Sequence, residues 1–198
     1  GQVRALRELA PRYVLPFSAA ATLDAPRVFG RHAPLIVEIG FGMGQATAQI
    51  AAARPHDDFL GIEVHEPGVG ALLQRIDEQQ LTNLRIVQHD AVEVMRDMIA
   101  PSTLAAAHVF FPDPWPKRAH ANRRIFGASF APALARTIAP GGRLFVATDV
   151  RSYAVTVRQR ILAVEGFREV AEAEDHPGLA TSFARKYRAA GLELYAYT

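Results

Sequence analysis

The sequence predicts an α/β fold, a mostly parallel seven-stranded sheet with helices on both faces. Three observations carry this expectation. Short apolar runs alternate with stretches of helical period, the pattern of strand–helix units in a parallel sheet. Pro and Gly fall between these segments rather than within most of them. An acidic residue stands at or near the end of five consecutive apolar runs: Glu38, Glu63, Asp90, Asp113 and Asp149.

At 198 residues the chain suits one domain, 1–198, with 1–34 as an N-terminal arm. It contains no cysteine, which excludes a disulfide framework and a thiol nucleophile and accords with a reducing cytoplasm. No stretch approaches the roughly 20 uninterrupted apolar residues that cross a bilayer, and the opening GQVRALRELAPRY has no signal-peptide core. A cytoplasmic protein without membrane contact is expected. The seven His are scattered, so no metal is expected. A formal charge of +2 is too small to establish nucleic-acid binding, but its distribution is uneven. Arg4, Arg7 and Arg12 lie near the start, and a second basic cluster follows Trp115.

Taken in order, residues 2–10 read as a short helix ended by Pro11, followed by a Pro-punctuated connector to Pro34. Leu35–Ile39 is the first strand, Gln45–Ala53 a helix, Phe59–Val64 the second strand. From Glu66, with Pro67 suited to a first turn, Val69, Leu72, Leu73 and Ile76 make a helical stripe. Leu84–Gln88 is the third strand, and Val94, Met95 and Met98 mark a helix. Val109-Phe110-Phe111 is the fourth. Phe126, Phe130, Leu134 and Ile138 recur every four residues, with Pro132 expected to kink that helix. Pro140-Gly141-Gly142 reads as a turn before the strand Arg143–Asp149; Val157, Ile161 and Val164 place a helix; 167–171 and 192–198 close the sheet as antiparallel strands.

In such sheets, ligands bind beyond the carboxyl ends of the strands. The stretch after the first strand, Gly40-Phe41-Gly42-Met43-Gly44, departs from G-x-G-x-x-G: its third glycine comes one residue early, and Gln45 stands where a pyrophosphate loop needs glycine. Gly40, Gly42 and Gly44 instead let backbone approach a nucleoside without pyrophosphate. Glu63 suits a ribose, accepting from both hydroxyls, and Asp90 suits an adenine amine. That pocket fits S-adenosyl-L-methionine better than NAD. The stretch VFFPDPWPKRAHANRRI, residues 109–125, combines Asp113, held between Pro112 and Pro114, with the chain's single Trp and with Lys117, Arg118, His120, Arg123 and Arg124; Asn122 is placed to cap a following helix.

The segments GQVRAL, VEIGFGMG, FLGIEVHEPGVG, HDAVEVM, FFPDPWPKRAHANRRI and GGRLFVATD span nearly the whole chain. Together they resemble the bacterial tRNA (guanine-N7-)-methyltransferases, within the Rossmann-like class I methyltransferases. The resemblance implies methyl transfer from S-adenosyl-L-methionine to N7 of a variable-loop guanine in tRNA. It implies that Glu38, Glu63, Asp90 and Asp113 line the cofactor site and that Asp113 is catalytic. Lys117 and Asp149 are assigned to substrate, and Ala119, His120, Ala121, Asn122, Arg123 and Arg124 to an RNA-contacting stretch. Thr181, Ser182, Phe183 and Ala184 align with a substrate-binding tetrapeptide that usually ends in glutamate; here it reads TSFA. Monomer and homodimer both stay open.

Two other readings compete. Methyltransferases for exocyclic amines place their acid three residues before an aromatic, whereas Asp113 stands two before Trp115. A non-catalytic RNA-binding paralogue has Ala184 in its favour and the intact Glu63 and Asp90 against it.

Overall fold

In the computed structural model, residues 1–115, 117–170 and 192–198 are described, with backbone alone at 118, 121, 122 and 192–194. The chain divides into two compact units, Gly1–Ala100 and Pro101–Thr198.

In the first unit, helix α1 (Gln2–Tyr13) runs on through Pro11, past the stop expected there. Pro11 falls in the last turn, where one forfeited bond ends little, and the Val14 amide closes the helix on the Ala10 carbonyl at 2.9 Å. Packing of α1 also favours continuation: Ala5 and Tyr13 are buried. The segment beyond α1 enters the edge of the sheet, Val14 bridging Ile86 and the Leu15 amide donating to the Ile86 carbonyl at 2.7 Å. Helix α2 (Ala25–Phe29) is capped by Asp24, which accepts from the Arg27 amide, and ends at Gly30 with φ +73°.

Strand β1 (Leu35–Ile39), helix α3 (Gln45–Ala53), strand β2 (Asp58–Glu63), helix α4 (Glu66–Glu78) and strand β3 (Leu84–Gln88) follow, close to expectation. The strands are parallel in the order β3-β2-β1, with Ile39 level with Ile62 and Glu63 level with Gln88. Their near-continuous burial explains the unbroken apolar runs, since a parallel sheet is covered on both faces. The α4 stripe of Val69, Leu72, Leu73 and Ile76 is fully buried. At Gly70 an added Cβ would stand 3.0 Å from the Gln2 side chain, so the missing side chain lets α1 lie close to α4. The helix expected around Val94 is instead a short α5 (Ala91–Glu93) running into a π-helical turn, Val94–Met98. The wider turn still buries Val94, Met95 and Met98.

In the second unit, β4 spans Leu104–Phe110, five residues earlier than its apolar signal at Val109. Ala106 and Ala107 are weak strand formers, yet pairing and complete burial hold them extended. A turn formed by Arg118–Arg123 encloses Asn122, so this residue is not the expected helix cap. Helix α6 (Phe130–Thr137) begins after Ser129, seven residues further on, and Phe126 packs outside it, edge-on to Phe130 at 5.2 Å. Pro132 does not interrupt α6: it is the third helical residue, where the amide lacks an intrahelical partner anyway. Strand β5 (Ile138–Ala147) contains Pro140-Gly141-Gly142, expected as a preceding turn. They form an irregularity inside the strand, where the register jumps from Leu104–Ile138 to Ala106–Arg143 and Gly141 adopts φ +85°. Helix α7 (Arg151–Leu162) leads to β6 (Phe167–Glu169) and β7 (Leu192–Tyr197). β4 and β5 are parallel; β7 runs antiparallel to both β5 and β6, as expected for the closing strands. Among the described residues the strands number seven, in a mostly parallel sheet.

Candidate active site

Because β1, β2 and β3 run parallel, their carboxyl ends share one edge of the first unit, where Glu38, Gly40, Gly42, Gly44, Glu63 and Asp90 follow or end the strands; Asp113, also expected at the cofactor, belongs to the second unit. Glu38 lies one residue before the end of β1, buried, and level with Gly61. Burial pushes its carboxyl up from 4.5 to about 7, with the Thr47 hydroxyl pulling more weakly the other way. The loop that follows places Gly40, Gly42 and Gly44 at φ +70°, +60° and +73°, conformations that L side chains resist. A Cβ on Gly40 or Gly42 would meet nothing within 4 Å, leaving room beside the backbone. A Cβ on Gly44 would stand 2.8 Å from the Leu72 side chain, so this third glycine serves the packing of α3 against α4.

Glu63 ends β2, and its carboxylate is engaged at both oxygens. Oε2 accepts the Gly42 amide at 2.9 Å; Oε1 accepts the amides of Val64 at 2.8 Å and His65 at 3.1 Å. A carboxylate offers about four lone-pair positions, so accepting capacity remains on the Oε2 side. The Met43 carbonyl of the same loop accepts from Arg75 Nε at 3.3 Å. Asp90, two residues past β3, caps α5 by accepting the Glu93 amide at 3.0 Å through Oδ1. Beside it the His89 ring stacks on Phe17, centroids 3.7 Å apart and 6° from parallel. The spacing of residues missed one member of this site. Gly68 lies in the first turns of α4, where a Cβ would fall on the Gly42 carbonyl oxygen and 3.6 Å from Glu63. Its signal was present: glycine inside a helix weakens it unless something else requires the space.

In the second unit Phe110 is level with Ala147, so Asp113 and Asp149 follow neighbouring parallel strands at the same edge. Both carboxylates are exposed. Phe111 and Trp115 flank the Pro112-Asp113-Pro114 segment with φ of +51° and +40°, left-handed conformations unusual for aromatic residues. The Phe111 amide is anchored on the Ala147 carbonyl at 2.7 Å. Trp115 is half-buried, with the His120 ring edge-on at 5.5 Å and the Arg123 guanidinium 5.0 Å above it. Lys117 is exposed, and the His120 amide donates to its carbonyl at 2.9 Å. Arg124 turns inward: Nε donates to the carbonyls of Pro114 at 2.7 Å and Trp115 at 3.2 Å, and Nη2 to Trp115 at 2.9 Å. Ala119, Ala121 and Asn122 belong to the Arg118–Arg123 turn between these groups. Thr181, Ser182, Phe183 and Ala184 lie outside the described residues. Among the described residues no three His, Asp or Glu side chains gather as metal ligands, and no helix is long and apolar enough to cross a membrane.

Residues 32–196 match the family described as "Putative methyltransferase". A tRNA (guanine-N(7)-)-methyltransferase of Burkholderia thailandensis is 58% identical over 154 residues, 78% of this chain and 58% of that protein. One of Burkholderia vietnamiensis is 51% identical over 195 residues, 98% of this chain and 75% of that protein. The chain thus spans somewhat more than half the length of the first relative. A solved structure described as an antibiotic-related methyltransferase superposes with a TM-score of 0.62 at 12% identity, covering 96% of this chain and 99% of that one. At that identity the likeness concerns the fold, the Rossmann-like class I methyltransferase architecture that the sequence resembled. With a family match over most of its length and a relative half identical across nearly all of it, the chain belongs to the tRNA (guanine-N7-)-methyltransferase family.

Proposed function

We propose that this chain transfers the methyl group of S-adenosyl-L-methionine to N7 of a variable-loop guanine in tRNA, in the cytoplasm. The observation that carries the reading is its 51% identity, over 98% of the chain, to a protein named tRNA (guanine-N(7)-)-methyltransferase. The geometry of the first unit supports the cofactor. Open space beside Gly40 and Gly42, and a Glu63 carboxylate fixed at the loop with accepting capacity left, suit a nucleoside with vicinal hydroxyls. Glu38, Gly40, Gly42, Gly44, Glu63 and Asp90 would hold it, and the family resemblance assigns Asp113 to the same cofactor.

S-Adenosyl-L-methionine, when bound, supplies an electrophilic methyl carbon on a positively charged sulfur. Guanine N7 presents an in-plane lone pair and no proton, so no side chain has to act as a base. The residues of this chain then act by orientation and charge. Asp113 stands as a fixed carboxylate against the positive charge that passes to the guanine ring. Asp149 accepts the N1 and N2 hydrogens of guanine, an edge that adenine does not offer. Lys117, and Arg123 in the turn that follows it, contact phosphates, which sets register without reading sequence. Thr181, Ser182, Phe183 and Ala184 complete the substrate contacts, with one acid fewer than the family pattern.

The test is methyl transfer from labelled S-adenosyl-L-methionine to an unmodified tRNA transcript, followed by mapping of the product. A transcript with 7-deazaguanine at the mapped nucleotide lacks the accepting nitrogen and should receive nothing. Its methylation at that nucleotide would rule out N7 as the acceptor.

A further inference from the structure

We propose that Arg124 is a positioning residue that sets the Asp113 loop, and not a phosphate ligand like its neighbour Arg123. The inference rests on the methyltransferase reading above and deepens it. In the sequence the two arginines form one basic pair, but at the end of the Arg118–Arg123 turn they differ in burial and in partners. Arg123 is exposed, with its guanidinium 5.0 Å over the Trp115 ring. Arg124 is half-buried, with three donor contacts on two consecutive carbonyls, Pro114 and Trp115. Its guanidinium also lies 5.7 Å over the ring of Tyr153, which is 3% exposed.

The loop needs such a restraint. Phe111 and Trp115 both hold left-handed backbone, which persists only where its surroundings over-determine it. The entry is fixed by the Phe111 amide on Ala147, and Pro112 and Pro114 fix their own φ. The exit is the strained Trp115, and its carbonyl is the one that takes two contacts from Arg124. Asp113 therefore sits in a segment held at both ends. Tyr153 belongs to the first turn of α7, which starts two residues after Asp149, so the same guanidinium links the Asp113 loop to the element that follows Asp149. The planar fork of arginine matches two adjacent carbonyls; a lysine ammonium keeps the charge but loses that fixed spread of donors.

The experiment compares Arg124→Lys and Arg124→Ala with Arg123→Ala in the full chain. The readouts are kcat on tRNA, tRNA affinity as a function of salt, and acrylamide quenching of Trp115, the only tryptophan. Both Arg124 variants should lose on the order of 10- to 100-fold in kcat, the scale of a misplacement near 1 Å. Their tRNA Kd and salt slope should match the wild type, and Trp115 should become easier to quench. The lysine variant decides the matter if the alanine variant does not fold. A wild-type kcat in Arg124→Lys, unchanged quenching in both variants, or a tRNA salt slope reduced by about one in Arg124→Ala would each overturn the proposal. Quenching is read without catalysis, so a wild-type protein that left tRNA unmethylated would count against the functional reading and leave the test of Arg124 intact.

Discussion

The Glu63 carboxylate accepts the Gly42 amide at 2.9 Å, tying the glycine loop after β1 to the end of β2. With Val64 and His65 on its other oxygen, one side chain satisfies three backbone amides. Glu63 thus shapes the loop as well as being placed to meet ribose hydroxyls. Glu63→Ala should weaken S-adenosyl-L-methionine binding by about 1.5–3 kcal/mol, the range for charge-assisted hydrogen bonds. Glu63→Gln keeps one acceptor oxygen and should lose less. Titration calorimetry checks both; equal affinity in all three proteins would remove Glu63 from the site.

Glu38 makes a prediction about pH. In the unfolded chain its carboxyl ionises near 4.5, whereas burial keeps it protonated in the fold up to about 7. Between those values the folded state binds the extra proton. The stabilising difference is complete below 4.5, falls as pH rises, and is gone above about 7. Relative to Glu38→Gln, which does not titrate there, the wild type should lose up to about 3 kcal/mol across that window. Urea unfolding of both proteins at about pH 5 and about pH 8 measures this. Parallel pH profiles would mean that Glu38 is already ionised in the fold.

Gly68 should be the least replaceable glycine around the loop. Gly68→Ala improves intrinsic helix propensity by up to about 1 kcal/mol, yet its Cβ would clash with the Gly42 carbonyl oxygen. The loop must shift, and cofactor affinity should fall by about 1–3 kcal/mol, as for overpacked sites. Gly40→Ala faces open space and carries only the strain of its left-handed backbone. Calorimetry showing wild-type affinity in Gly68→Ala would mean that the loop moves freely.

The parts legible in the sequence were those written in local chemistry. The bounds of α3 followed from an alanine-rich run closed by Arg54-Pro55, and the start of α4 from its apolar period and from Pro67 in a first turn. The acids at Glu38, Glu63 and Asp90 were found by counting to strand ends. Tertiary effects overrode the rest. Leu104–His108 is strand because β5 pairs with it, although three alanines say little. Pro11 and Pro132 looked like breaks, but each falls in a terminal turn. Side-chain direction was the main loss. That Glu63 reaches Gly42, and that Arg124 turns inward while Arg123 does not, depends on backbone such as Trp115 at φ +40°, which no spacing encodes.

Arg123 and Lys117 are exposed cations next to the Asp113 loop. If each neutralises one phosphate, Arg123→Ala and Lys117→Ala should weaken tRNA binding and flatten log K against log salt by about 0.7–0.9 each. The cofactor Kd should not change. Filter binding across a salt series gives the slopes, and a wild-type slope in both variants would return these side chains to ordinary solvated surface.

Asp113 and Asp149 follow neighbouring parallel strands, yet they should fail in different ways. Asp113→Asn keeps the shape of the side chain and removes the charge that opposes the cationic guanine. Such a loss acts in the transition state, so kcat should fall on the order of 10²–10³-fold while the Kd values for tRNA and cofactor hold. Asp149→Asn leaves one acceptor oxygen and places an amide donor against the N1 and N2 hydrogens. That mismatch is present as soon as guanine docks, so KM should rise along with any loss in kcat. Steady-state kinetics on one tRNA transcript separate the two. A variant of Asp113 that loses only affinity, or one of Asp149 that loses only turnover, would reverse the roles assigned to these carboxylates.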